Sequence, residues 1–365
     1  MQRSKRNNRI SLSRKIERAR KLTLIPTVLL LLTLLLSPVA VSAAENVPML
    51  CPGGIPFGIR FSTDGILVVG FCDVTENGIT SSPAKDAGLM ENDLIRSCNG
   101  KRPESAEEFT EAIASSNGKT IELEVKRGEK TLKIPITPRK SDADGKYKSG
   151  MWIRDGGAGI GTVTFVSPDS FLFAGLGHGI CNGDRGDLVP MSHGTLFSVN
   201  VSDVVRGKQG TPGEIKGYFT SEKLGSLIEN TELGMFGALT GMPEAMASDE
   251  RCRAIPIARR DEVTEGKATI YSTLDENGIG EYEIELSEIR RDATAGKCFS
   301  VKITDPRLIE KSGGIVQGMS GSPIIQNGKL VGAVTHVLIN DPTSGYGIFI
   351  ENMLAAAEMP MEKAS

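Results

Sequence analysis

Beyond about residue 50 the chain reads as short apolar runs that alternate with polar residues and are broken by glycine, the pattern of strands that each bury one face. Gly54-Ile-Pro-Phe-Gly-Ile-Arg-Phe61 and Ile66-Leu-Val-Val-Gly-Phe71 open the series. Ser82-Pro-Ala-Lys-Asp-Ala-Gly-Leu89 predicts a short helix, with proline at its start and glycine near its end. Asn92-Asp-Leu-Ile-Arg-Ser-Cys98 predicts a strand closed by an Asn99-Gly100 turn. Ser105-Ala-Glu-Glu108 is a capping box that opens a helix with Phe109, Ala112 and Ile113 on one face. Ile121, Leu123 and Val125, then Leu132, Ile134 and Ile136, alternate with polar residues across Arg127-Gly128-Glu129, an antiparallel pair. The polar stretch Pro138 to Gly150 reads as a linker. After Met151, strands are expected at Gly161–Val166, Leu196–Val201, Ala268–Tyr271, Glu281–Leu286 and Phe299–Ile303, with a helix from Ile350 to Glu358. This second part is expected to be an all-β barrel or sandwich, of which the chymotrypsin-like double barrel is one form.

The first 45 residues break the alternation. Residues 1–21 hold nine Lys/Arg and a single acidic residue, Glu17, and Leu22 to Ala44 carries no charge. A run of that length can cross a hydrocarbon core, which needs about 20 residues, with the basic flank left in the cytoplasm. Val41-Ser42-Ala43 also suits signal cleavage, so a retained anchor and a removed signal both stay open. Either way the remainder is expected outside the cytoplasm. About 320 residues follow, more than one core usually holds. The expected organisation is a basic tail and membrane segment over 1–45, a first domain over 46–138, a linker over 139–150 and a second domain over 151–365.

Residues 1–21 carry a net charge of +8, so the remaining chain carries −11 against −3 for the whole. Nucleic-acid binding is not expected of such an acidic part, while the basic tail suits anionic headgroups. The six cysteines, at 51, 72, 98, 181, 252 and 298, form no Cys-x-x-Cys motif. They imply neither redox activity nor a pairing scheme. No metal-ligand spacing and no phosphate-cradling glycine loop stands out, so no metal or other cofactor is expected.

From Ser82 to Gly100 above all, the first domain resembles a PDZ domain. Such domains offer backbone amides to a peptide carboxylate and accept the peptide as an added strand. On that resemblance Phe57, Gly58 and Ile59 form the peptide-binding loop, the glycine allowing close approach of the ligand. The protein's own N-terminal segment, a partner's tail or a substrate are all candidate ligands.

The chemistry is concentrated near the C-terminus. Gly318-Met-Ser-Gly-Ser-Pro323 is followed by Ile324-Ile325 and Leu330 to Val337, joined by the turn Gln326-Asn-Gly-Lys329. A serine flanked by glycines can expose its Oγ and aim successive amides at one point, which a tetrahedral oxyanion requires. Ser320 is therefore the candidate nucleophile, with the amides of Ser320 and Gly318 as the oxyanion hole. Three histidines exist. His178, bracketed by glycines at the end of an apolar run, is the candidate base. His193 reads as part of a polar turn, and His336 as part of a sheet face or pocket wall. Asp305, 15 residues before Ser320 in Ile-Thr-Asp-Pro, is a candidate orienting acid and equally an ordinary helix cap. Asp184, Asp187 and Asp203 compete with it.

Gly-Leu-Gly-His178-Gly-Ile, Ile-Thr-Asp305-Pro and Gly-Gly-Ile-Val-Gln-Gly-Met-Ser320-Gly-Ser-Pro-Ile, in that order behind a PDZ-like module, resemble the SpoIVB peptidases of sporulating bacteria. The similarity runs from the membrane segment to about Asn352. It implies a mainly β protein with a chymotrypsin-like double barrel, and His178, Asp305 and Ser320 as general base, orienting acid and nucleophile. Ordinary trypsins separate acid and nucleophile more widely and carry Asp where this chain has Met319, so their activation pocket is not expected. The resemblance further implies an exported signalling endopeptidase in the space between forespore and mother cell. It would cleave itself and a membrane-bound regulator, so that a mother-cell sigma factor is processed. Two other readings stand beside it: a non-catalytic PDZ adaptor with an inert protease-like domain, and a general quality-control protease. The PDZ-like module precedes the catalytic part here, whereas familiar quality-control proteases place it after.

Overall fold

The computed structural model describes residues 47–182 and 186–357, and the segment read as membrane-crossing lies outside them. Among the described residues no helix is long and apolar enough to cross a membrane. β1 (Met49–Pro52) leads into β2 (Pro56–Phe71), one strand of 16 residues where the sequence pattern had suggested two. Gly65, at φ +140°, is why the two apolar runs join: a Cβ there would lie 2.6 Å from the Ile95 carbonyl oxygen.

The PDZ-like part follows the predicted order closely. It comprises α1 (Pro83–Asp86), β3 (Leu94–Cys98), α2 (Ala106–Ser115), β4 (Ile121–Arg127) and β5 (Lys130–Ile136). Asn99 and Gly100 both take positive φ in the turn after β3. At α2 the Ser105 side chain accepts from the Glu108 amide at 3.1 Å, and Glu108 accepts from the Glu104 amide at 2.7 Å, so two otherwise orphan donors are satisfied. The helix buries Phe109 and Ile113 against Val68, Ile95, Leu123 and Val125. Each such side chain contributes about 1.5–3 kcal/mol of burial.

The second part contains β6 (Met151–Val166), β7 (Leu172–Gly175), β8 (Met191–Val205), β9 (Glu214–Thr231) and β10 (Gly234–Leu239). Then come β11 (Gly266–Thr273), β12 (Ile279–Ser287) and β13 (Phe299–Ile303). After α3 (Pro306–Ser312), β14 (Pro323–Gln326), β15 (Lys329–Leu338) and β16 (Asp341–Phe349) complete the sheets, and α4 (Ile350–Ala356) closes the described chain. Strands β11-β12-β13-β16-β15-β14 form a closed barrel. The large sheet runs β1-β6-β7-β10-β9-β8-β2-β3-β4-β5, and a further pairing of β6 with β2 closes six of these strands into a second ring. Closure removes free edges that would otherwise pair with other chains. One apolar core joins both rings, with Phe57, Phe165, Phe173, Phe299 and Phe349 among its fully buried members.

Two expectations require correction. The boundary expected between 138 and 151 does not separate the strands. Residues Pro56–Thr63 of β2 pair into the ring with β6 and β8, while Met151–Arg154 of β6 pair with Leu67–Phe71 beside the PDZ-like core. The intended linker is itself partly built in: Arg139–Lys140 pairs with Tyr147–Lys148, and Ser141, Ser149 and Gly150 are buried. Its polar composition hid backbone hydrogen bonds that no side chain advertises. Phe57, Gly58 and Ile59 do not form an open peptide-binding loop either. They lie opposite Gly161, Ile160 and Gly159 on one side and Ser198, Phe197 and Leu196 on the other, so both strand edges are filled.

Candidate active site

The loop before β14 is pinned to β6. Thr162 donates its Oγ1 to the Gly318 carbonyl at 2.7 Å and its amide to the Ser320 carbonyl at 3.0 Å, and Thr164 Oγ1 donates to the Gly321 carbonyl at 2.8 Å. Gly318 and Gly321 take φ of +98° and +97°. Met319, between Gly318 and the serine, is fully buried and anchors the loop from inside. Behind it the hairpin predicted at Gln326–Lys329 is present, with Asn327 and Gly328 both at positive φ. Among the described residues neither the Gly318 amide nor the Ser320 amide donates to an acceptor in the chain. The Ser320 hydroxyl donates to the Thr335 carbonyl at 2.9 Å.

His178 stands at the end of β7, after two consecutive residues in left-handed conformation, Leu176 and Gly177. For a leucine this backbone is uncommon and strained, a feature that clusters at functional sites. Gly177 leaves room for the tip of Thr335, whose Cγ2 would lie 2.9 Å from a Cβ. The ring places Nδ1 2.9 Å from the Gly179 carbonyl oxygen. Because a carbonyl only accepts, Nδ1 carries the hydrogen and Nε2 is left as the basic nitrogen. Burial pushes the His178 pKa below its usual value, partly opposed by the Gly179 contact.

His336 packs against this ring, centroid to centroid 5.2 Å, and its buried Nδ1 has no hydrogen-bond partner among the described residues. Burial first, then the neighbouring His178 and Lys297, lowers its pKa to about 4. Both imidazoles are therefore neutral near pH 7. The sequence pattern placed His336 on a sheet face but carried no sign that the two rings meet, since 158 positions separate them. His193 is exposed on β8 rather than in a turn.

Among the described residues no hydrogen bond joins Asp305 to the imidazole. It caps α3: Oδ1 accepts from the Arg307 amide at 2.8 Å, Oδ2 from the Arg307 guanidinium at 2.7 Å and from the Glu283 amide at 3.3 Å. These donors use the buried carboxylate fully, and the His178 Nδ1 position is filled by Gly179 instead. Of the competing acids, Asp187 is hydrogen-bonded by Asn92 and Asp203 by the Val204 amide, while Asp184 lies outside the described residues. The Arg307 guanidinium holds the Asp305 carboxyl below the usual carboxylate range, burial partly opposing it. A lowered pKa in the folded state gives stability that is complete above about pH 4, the unfolded value, and fades as pH falls through the folded one. Asp305→Asn is expected to cost about 1–2 kcal/mol at pH 7. Urea unfolding should show the gap from wild type narrowing at pH 3, and a pH-independent gap would contradict the assignment.

His178, Gln317, Gly318 and Ser320 border one cavity of about 470 Å³. Among the described residues no cluster of three or more His, Cys, Asp or Glu is placed to hold a metal ion.

A nucleophile loop with uncommitted amides, a neutral imidazole with a free Nε2 and a shared cavity define the class, a serine peptidase. The chain belongs to the SpoIVB peptidase S55 family, whose model matches residues 145–354, and a PDZ domain model matches residues 57–137. Among curated proteins, the chain is 37% identical to Serine protease HTRA1 of Xenopus tropicalis over 62 residues, 17% of this chain and 13% of that protein. It is 35% identical to the Regulator of sigma-W protease RasP of Bacillus subtilis strain 168 over 79 residues, 22% of this chain and 18% of that protein. The matches thus span less than a fifth of the length of either relative. Among solved structures, the PDZ domain of the SdrC-like protein from Listeria monocytogenes is 28% identical, covering 25% of this chain and 87% of that one, with a TM-score of 0.21. The active form of the Rv3671c protease from M. tuberculosis is 12% identical, covering 57% and 76%, with a TM-score of 0.33.

Proposed function

We propose that the chain is an exported serine endopeptidase of sporulation signalling in which Ser320 and His178 carry the reaction. The observation that carries the chemistry is the Nδ1 contact of His178 with Gly179, which leaves Nε2 to accept a proton. Ser320 Oγ turns from the Thr335 carbonyl and attacks the peptide carbonyl carbon as its proton passes to Nε2. The oxyanion takes hydrogen bonds from the amides of Gly318 and Ser320. Collapse breaks the C–N bond, the amine leaves with the proton from Nε2, and water, activated by the same nitrogen, releases the acyl group. Asp305 serves this site through the fold, by fixing α3 ahead of the nucleophile loop.

The biological setting rests on family membership. On that reading the enzyme acts on the outer face of the membrane, anchored or released by its N-terminal segment, between forespore and mother cell. Its substrates are then its own upstream segment and a membrane-bound regulator of sigma-factor processing, with a peptide at the PDZ-like module as regulator.

Treatment of the protein with a fluorophosphonate, followed by intact-mass and peptide mapping, tests the chemistry. One adduct on Ser320, absent in His178→Ala, is expected. Because the base must be neutral and its pKa is depressed, labelling should hold its plateau down to about pH 6.5 and fall only below it. An adduct that forms equally in His178→Ala, or an acid limb centred above pH 6.5, would remove His178 from the role. A folded protein with no adduct would favour the inert adaptor.

A further inference from the structure

Three glycines strip one face of β6 where it borders Ser320. Gly157, Gly159 and Gly161 lie directly opposite Phe61, Ile59 and Phe57 of β2. Opposed residues of an antiparallel pair share a face of the sheet, so bulk comes from one strand and none from the other. At the two ends neighbours lean in. A Cβ on Gly161 would lie 2.1 Å from Leu176 Cδ2, and one on Gly157 would lie 2.7 Å from the Phe61 ring. At Gly159 a Cβ would meet no atom within 4 Å, and its backbone is not left-handed. The opening continues into the cavity that holds His178 and Ser320, with Leu176, Ile180 and Val189 as further walls.

Arg154 is the one charged Arg, Lys, Asp or Glu among the described lining residues. It lies opposite Leu67, five residues along β6 from Gly159, so roughly 16 Å away at about 3.3 Å per residue. A charged side chain in the slot would be desolvated without a partner, and a small one would leave the walls uncontacted.

We infer that the slot over Gly159 binds one large apolar side chain of a polypeptide substrate, of the leucine, methionine or phenylalanine class, beside the scissile bond. The inference rests on Ser320 and His178 being the hydrolytic pair. One methylene in such a pocket is worth roughly 10- to 200-fold in discrimination, so leucine over alanine should exceed tenfold.

Two readouts separate the slot from the chemistry. In the first, full-length Ser320→Ala protein is titrated with the pentapeptides Ala-Ala-X-Ala-Ala, X being Leu, Phe, Ala or Glu. The Leu and Phe peptides are expected to bind at least tenfold tighter than the others. Gly159→Leu in the same background fills the slot and should erase the difference, and Gly159→Ala, the milder change, should reduce it. In the second, the wild-type enzyme cleaves a peptide library and both residues flanking each cut are read by mass spectrometry. A large apolar residue should dominate one flank. Equal binding of all four peptides, or a preference that survives Gly159→Leu in a folded protein, overturns the slot even where Ser320 takes the fluorophosphonate. An apolar binding preference in a protein whose Ser320 takes no adduct supports the slot and overturns the chemistry alone.

Discussion

Ser320→Ala is expected to lower kcat/KM for a cleaved peptide by about four to six orders of magnitude with a loss of only about 1 kcal/mol in stability. The hydroxyl makes one hydrogen bond, to the Thr335 carbonyl, so its removal costs about 1 kcal/mol. The backbone amides, the imidazole and the apolar slot remain, so substrate affinity should change little while bond making stops. The residual rate should stand about a thousandfold above water, from oxyanion stabilisation and binding. His178→Ala should fall to a similar level, and the double variant should be little worse than either, because the two groups act as one unit. Steady-state hydrolysis and thermal unfolding of the three proteins decide the matter. Activity within tenfold of wild type in Ser320→Ala would move the nucleophile elsewhere.

Gly321→Ala is expected to destabilise the protein by about 2–4 kcal/mol and to abolish labelling of a serine that is still present. The residue has φ +97°, where a side chain costs about 1–2 kcal/mol. A Cβ would also lie 2.1 Å from the Thr162 carbonyl oxygen and 2.5 Å from the Leu176 nitrogen. Both are backbone atoms, so the clash cannot be relieved by a rotamer. The loop must leave β6, and the bonds from Thr162 and Thr164 to Gly318, Ser320 and Gly321 stretch or break at about 1 kcal/mol each. Urea denaturation gives the first quantity and fluorophosphonate adduct formation the second. A variant as stable and as reactive as wild type would show that this loop is not held by β6.

Local rules made much of this legible. Asn99-Gly100 and Asn327-Gly328 announced turns because few other pairs accept positive φ in succession, and Ser105 with Glu108 announced a helix start through hydrogen bonds three and four residues apart. His178 and Ser320 stood out through the glycines around them. What failed was long-range. Nothing in Phe57-Gly58-Ile59 distinguishes a strand with a ligand beside it from one flanked by β6 and β8, because both bury alternate residues. Asp305 before proline satisfies the demands of a cap and of a catalytic acid alike, and only the position of Arg307 and Glu283 chose between them. The pairing of His178 with His336 depends on two barrels meeting, which no window of sequence contains.

β2 and β6 each run unbroken from the PDZ-like core into the catalytic ring. The stretch matched to the peptidase family, 145–354, therefore is not a self-sufficient folding unit. Cut away from residues 49–71, β6 and β8 would lose the strand they share, and β6 would lose β1 as well, exposing raw edges prone to self-association. Recombination that swaps one module for another at the visible sequence boundary would thus yield an unclosed barrel.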